Sequence, residues 1–285
     1  MRKLLTSNTP THLMVLAFLC FLGLALFSGG NGLTDASKIL LTVTSFVFGF
    51  YINSLITQSR NRHAKVVEAL REEGGYIKAI YYITSGVFPA KVIEEERKNI
   101  DKYLVAGMDY KVIDYAKSAP HFRELFNHIM KIEAQTKQQE VAYGHLVRIV
   151  GEISKSRNRI EALVKERVSS FEWMTVAILL SLVIYFVFSL NTGTMLSIAI
   201  TSFIATALTM LIIILQGLDS LRWKEDMWFW APLEELFLSL DLLPYYPKIL
   251  VDTHRLKLKK GNPVRLASYP NEYPNMQGKV VTIHK

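Results

Sequence analysis

Seven histidines, a few carboxylates and a single cysteine are the side chains of this 285-residue chain best suited to chemistry. His63, His121, His128 and His145 fall in one stretch, and His121 and His128 are spaced to share a helix face. None stands in a HExxH, Cys-paired or carboxylate-paired spacing, so they read as solvated or hydrogen-bonded helix residues, not zinc ligands. Glu94, Glu95 and Glu96, followed by Arg97 and Lys98, read as a solvated helix face with local charge pairing. Asp219, Glu225 and Asp226 would draw a cation, but Arg222 and Lys224 are interleaved with them, and no metal site is expected. No nucleophile elbow, P-loop or dinucleotide fingerprint is present. Cys20 has no second cysteine to bridge. No enzyme and no cofactor are expected.

A different kind of site is written into the stretch from Thr42 to Thr57. Thr42, Phe46 and Phe50 are four apart, so each advances about 40° around a helix and the three form one slowly drifting stripe. Asn53, Ser54 and Thr57 continue it with polar groups. Ordinary packing against neighbouring helices is one reading of such a stripe. The other is a pore: around the axis of a homo-oligomer it becomes stacked rings, two of them phenyl. Apolar rings in a narrow passage gate by excluding water.

What must position this stripe is a membrane. Half of the residues are hydrophobic and only 20% are charged, against about 25% in a soluble domain. The excess lies in four runs: Leu13 to Phe27, Ile39 to Thr57, Met174 to Leu190 and Met195 to Leu215. None contains Lys, Arg, Asp or Glu, and a helix of about 20 residues crosses the hydrocarbon core. The first run also resembles a signal sequence, with Arg2 and Lys3 before it and Gly29 and Gly30 after it. The second span follows so closely that a retained helix is expected. Lys and Arg crowd the N-terminus, the segment from Gln58 to Ser170 and the tail from Gln216, while the two short links carry almost none. Both termini are therefore expected in the cytoplasm, in a multi-pass protein of the cell inner membrane. The net charge of +8 is spread, which argues against nucleic acid. Lys257, Lys259 and Lys260 give the tail a weak attraction to anionic lipid.

Between the second and third spans the periodicity is helical throughout. One helix continues out of the membrane to a break at Gly74 and Gly75, another is introduced by Pro89, a third opens at Pro120, and a fourth covers Val141 to Val168. Pro232 to Leu243 is amphipathic, and the last twenty or so residues read as extended or disordered. No segment alternates convincingly as a strand. The expected fold is an all-α membrane protein: a first helix pair (1–57), a cytoplasmic helical region (58–170), a second pair (171–216), and a cytoplasmic helix with a basic tail (217–285).

Ser45-Phe46-Val47-Phe48-Gly49-Phe50-Tyr51 resembles the second-span motif of bestrophins, a run of the form S-F-V-x-G-F-Y. Ala231-Pro232-Leu233-Glu234, followed by Leu236 to Asp241, is similar to the Pro-Leu-acid pattern that opens an amphipathic helix in bacterial members. The likeness covers most of Leu13 to Leu243. It implies a pentameric channel for small inorganic ions, often chloride, in which Phe46 and Phe50 form the hydrophobic neck. Thr42 falls where a larger aliphatic residue is usual, which would widen or wet the outer ring. Gln58-Ser59-Arg60 replaces the usual Arg-Trp-Trp. Trp223-Lys224-Glu225-Asp226 stands where animal members carry their acidic calcium clasp, so no calcium activation is implied. The pore neck is thus expected at Thr42, Phe46 and Phe50, with polar pore positions at Asn53 and Ser54, further copies of the chain as partners and lipid around them. Some bacterial members pass cations, and here the modest excess of Lys and Arg in the expected cytoplasmic parts places anions ahead of cations. A membrane-anchored interaction or sensing protein, whose cytoplasmic helices bind a partner without conduction, is the competing expectation.

Overall fold

The computed structural model describes residues 9–28, 34–222, 226–252, 256, 258 and 263–284. Helices account for 78% of it. The chain divides into two compact units: one takes the described residues of Met1–His63 and Arg167–Trp223, the other those of Ala64–Glu166 and Lys224–Lys285.

The first unit holds the apolar runs. They form α1 (Thr9–Phe27), the first part of α2 (Asp35–Val87), α6 (Ser170–Ser189) and α7 (Met195–Asp219). Among the described residues, α2, α6 and α7 are long and apolar enough to cross a membrane, and α1 adds the shorter apolar stretch Met14–Phe27. The ends of α6 and α7 are written locally. Ser169 accepts from the Glu172 backbone N–H while Glu172 accepts from that of Ser169, and Thr194 caps α7 through the N–H of Ser197. Phe48, Ile52, Leu55 and Ile56 of α2 pack with Val176, Val183 and Val187 of α6 and with Leu215 and Leu218 of α7. α1 lies along α7, with Phe18 and Phe203 ring centroids 4.8 Å apart.

One side chain ties three of these elements together. Asn191, buried in the α6–α7 link, donates to the Ala25 and Ser28 carbonyls at 2.7 and 2.9 Å, capping the end of α1. Its Oδ1 accepts from the Gly193 N–H and the Ser197 hydroxyl, both at 3.1 Å. Asn191→Ala leaves these groups without their partner. It is expected to cost about 1–3 kcal/mol, measurable as a lower unfolding midpoint in detergent.

The second unit is built on α3 (Ala90–Asp109), a 3₁₀ segment (Val112–Ser118), α4 (Ala119–Met130), α5 (Lys137–Lys165), a π-helical turn (Asp226–Trp230) and α8 (Ala231–Ser239), with the end of α2. A five-residue α9 (Lys248–Asp252) follows. Pro89 precedes α3 and Pro120 sits in the first turn of α4, as the sequence signals predict, while α5 starts four residues ahead of the expected Val141, capped by Thr136. The expected break at Gly74 and Gly75 is absent: α2 runs unbroken for 53 residues. Two glycines cost a helix about 2 kcal/mol together, and the burial of Val66, Ala69, Ile77 and Ile80 around them outweighs that.

The all-α expectation also needs correction. β1 (Tyr245–Pro247) pairs in parallel with β2 (Val264–Ser268), which pairs antiparallel with β3 (Val280–His284). The tail is ordered by charge more than by strand periodicity. Asp109 at the end of α3 accepts from the Tyr245 and Tyr269 hydroxyls at 2.5 and 2.6 Å, and Lys279 donates to it at 2.6 Å. Burial, reinforced by the Asp109 carboxylate, pushes both tyrosine pKa values up. Arg265 forks onto Asp101 at 2.6 and 2.7 Å.

Candidate functional site

In α2 the side that packs into the first unit is carried by Phe48, Ile52, Leu55, Ile56, Ser59 and Arg62, all buried. These recur at three- and four-residue steps and define one face of the helix. Turned away from them are Thr42, Phe46, Phe50, Asn53, Ser54 and Thr57, all exposed. Phe46 is 74% and Phe50 72% exposed, while Phe48 between them is 2% exposed. The helix thus splits a run of aromatic residues, one ring into the core and two out of it. The predicted stripe is brought onto one continuous exposed face of the helix.

The polar groups on that face fall into two sets. The Thr42 hydroxyl donates to the Lys38 carbonyl at 3.0 Å, and Ser181, Ser202, Thr206 and Thr209 likewise bond back to their own helices. Asn53, Ser54 and Thr57 have no side-chain hydrogen-bond partner among the described residues. Asn53 lies about 20 Å along the helix from Ile39, still within the depth of a bilayer's hydrocarbon layer. Beside that face, Ser45 and Gly49 join Leu41 and Phe48 in lining an apolar recess of about 630 Å³ with residues of α6 and α7. No charged side chain lines that recess, so it offers nothing to hold an ion.

Below the stripe, α2 is locked to α7. Arg62 is 6% exposed and Asp219 2%. Arg62 donates to the Asp219 carboxylate at 3.2 Å and to its backbone carbonyl at 2.5 Å. The Val168 N–H and the half-exposed Arg167 complete the set at 2.9 and 3.3 Å. The acidic group after the fourth span is therefore an internal ion pair, at least for Asp219. Trp223, Lys224 and Glu225 lie outside the described residues, as do Arg2, Lys3, Gly29, Gly30, Lys257, Lys259 and Lys260. No group of three or more His, Cys, Asp or Glu able to hold a metal occurs among the described residues.

Two buried acidic sites lie in the second unit, and neither was legible as such. Glu73 accepts from the Tyr103 and Tyr115 hydroxyls, with Arg157 3.9 Å away. Arg157 donates to both tyrosines and to Ser118. Burial raises the Glu73 carboxyl pKa, against the two hydroxyls and Arg157, which lower it, and Tyr103 and Tyr115 are pushed well above the usual range, first by burial and then by Glu73. Such a closed set has every member partnered and nothing left to bind a substrate. The other correction is Glu96, read above as solvated. It is fully buried, accepts from the Thr84 hydroxyl at 2.5 Å, and has no partner for Oε1 among the described residues. Burial raises its pKa to about 8. Its neighbours Glu94, Glu95, Arg97 and Lys98 are exposed as expected.

The fold has solved counterparts. The chain is similar to a crystal structure of a point variant of a bacterial bestrophin homolog from Klebsiella pneumoniae. The TM-score is 0.64 at 10% identity, over 80% of this chain and 97% of that one. A crystal structure of a point variant of a membrane protein gives a TM-score of 0.62 at 11% identity, over 82% and 99% of the two chains. Another variant of the Klebsiella pneumoniae homolog gives 0.52 at 12% identity, over 80% and 98%. At these identities the likeness concerns the fold alone. No curated protein matches. A model of the bestrophin-like domain matches residues 11–220, well over half of the sequence and the whole of the α2 stripe. The chain belongs to the bestrophin-like family.

Proposed function

We propose that the chain assembles with copies of itself, five by analogy with the family, into an ion channel of the bacterial inner membrane whose axis is lined by α2. Phe46 and Phe50 form two phenyl rings about 6 Å apart along the helix, and these make the hydrophobic neck. Thr42 forms a smaller, wetter ring outside it. Asn53, Ser54 and Thr57 line the passage on the cytoplasmic side. Both termini and the second unit lie in the cytoplasm, and small anions such as chloride pass in preference to cations.

One observation carries this reading: Phe46 and Phe50 project from the subunit while Phe48 is buried, and Asn53 shares their face without a partner. Exposed phenyl groups alone suit lipid. An unpaired amide does not, because hydrocarbon offers it no hydrogen bond and polar side chains at that depth turn to the bundle interior or to water. A face that combines both is accounted for by a passage, where phenyl rings exclude water at the neck and the amides below are hydrated. The absence of charge in the neck leaves the barrier to come from dehydration, the same for either sign of ion.

Purified protein in planar bilayers is expected to show single-channel currents. Phe46→Ala with Phe50→Ala removes both rings and should raise the open-state current or open probability severalfold. Currents in neither form would contradict the proposal.

A further inference from the structure

Below the neck, α2 carries two arginines on opposite faces. Arg62 turns into the subunit and is neutralised by Asp219. Arg60, two positions earlier and thus about 200° around the helix, is exposed and makes no ion pair or hydrogen bond among the described residues. It stands about five whole turns beyond Thr42, so the two share an azimuth, within about 40° of Phe46. At the opposite end of the same stripe Lys38 is matched by Asp35 at 3.0 Å. Arg60 is therefore the unmatched fixed charge on the exposed face of α2 in the first unit.

We propose that Arg60 forms a ring of guanidinium groups about 15 Å below Phe50 that binds permeant monovalent anions at the inner mouth of the neck and sets the charge preference of the passage. The inference rests on the pore reading above and supplies what the phenyl rings lack, a discrimination by sign. Like charges repeated around a narrow passage concentrate counter-ions there and repel co-ions. Rings of basic side chains are a known way to select anions. A guanidinium suits the role because it is weakly hydrated and presents several N–H donors in a rigid fork. It also has a reason to be unpaired, since a carboxylate beside it would cancel the ring.

The same exposed arginine could serve instead by contacting anionic headgroups at the membrane surface. The phosphate of a lipid and a mobile halide share the chemistry, and the experiment separates them. Full-length protein is reconstituted in bilayers under a KCl gradient, and the anion-to-cation permeability ratio is read from the reversal potential for wild type, Arg60→Lys, Arg60→Gln and Arg60→Glu. Each is measured in neutral phosphatidylcholine and again with phosphatidylglycerol added. The ratio should be kept by Arg60→Lys, fall several-fold in Arg60→Gln, and shift towards cations by about tenfold or more in Arg60→Glu, equally in both lipids. Because Arg60 is exposed and holds no ion pair or hydrogen bond among the described residues, the substitutions should leave the elution profile unchanged, and Arg60→Gln gives the answer should Arg60→Glu fail to assemble. Intact currents with an unchanged ratio in Arg60→Gln and Arg60→Glu would overturn the ring while leaving the channel standing. A shift seen only with phosphatidylglycerol would overturn it as well, assigning Arg60 to headgroups. Absence of current from the wild type would remove the channel reading and the ring with it.

Discussion

Asp219→Ala is expected to destabilise the protein by about 3–5 kcal/mol, a large effect for one substitution in a chain whose other carboxylates are mostly exposed. Asp219 and Arg62 are both shut away from water, and the carboxylate also holds the Val168 N–H and Arg167. Removing it leaves the Arg62 guanidinium buried without its counter-charge at the place where α2 is fixed to α7. The cost comes from that stranded charge more than from the lost attraction. Replacing both partners, Arg62→Met with Asp219→Leu, should therefore recover most of it. Equilibrium unfolding in mixed micelles of the wild type, the two single variants and the double variant measures the cycle. A loss below about 1 kcal/mol for Asp219→Ala would mean that water reaches the pair and that it does not lock the helix.

The second large effect is a dependence on pH traced to Glu96. Its pKa of about 8 in the folded chain lies above its ordinary 4.5. Between those values the unfolded chain has released a proton that the folded chain keeps, so stability falls as pH rises through that window. The contribution is fully present below about pH 4.5 and gone above about pH 8. At about 1.4 kcal/mol per pH unit, it amounts to something on the order of 5 kcal/mol. Glu96→Gln keeps an acceptor for Thr84 and has no proton to lose, so its stability should be flat over the same range. Unfolding midpoints of the two proteins between pH 5 and pH 9 decide the matter, and parallel curves would contradict the assignment to Glu96.

The parts of this protein that could be read in advance are those encoded by local pattern. Apolar length announces α2, α6 and α7, and Pro89 and Pro120 mark the starts of α3 and α4, whereas the caps Thr136 and Ser169 begin α5 and α6 about four residues ahead of the apolar pattern at Val141 and Met174. The four-residue repeat of Thr42, Phe46 and Phe50 puts them together on one face, and the exposure of that face follows because Phe48, Ile52 and Leu55 use the other for the core. What stayed hidden depends on partners distant in sequence. Arg62 meets Asp219, Glu73 meets Arg157, and Asn191 meets the end of α1 only once the helices have packed. Glu96 looked solvated because Glu94, Glu95, Arg97 and Lys98 around it are. A single position in a charged run can face inward without altering the pattern. The tail strands escaped for a related reason. Their order comes from Asp101 and Asp109 on α3 gripping Arg265, Lys279 and two tyrosines, and not from alternation of their own residues.

The most direct test of the whole account is a cryo-EM structure of the assembled protein in lipid nanodiscs. It should show five α2 helices, or another closed ring of them, with the Phe46 and Phe50 side chains converging on a central passage and water or ion density beside Asn53. A particle in which those two side chains meet lipid or a neighbouring helix, with no opening between the subunits, would contradict it.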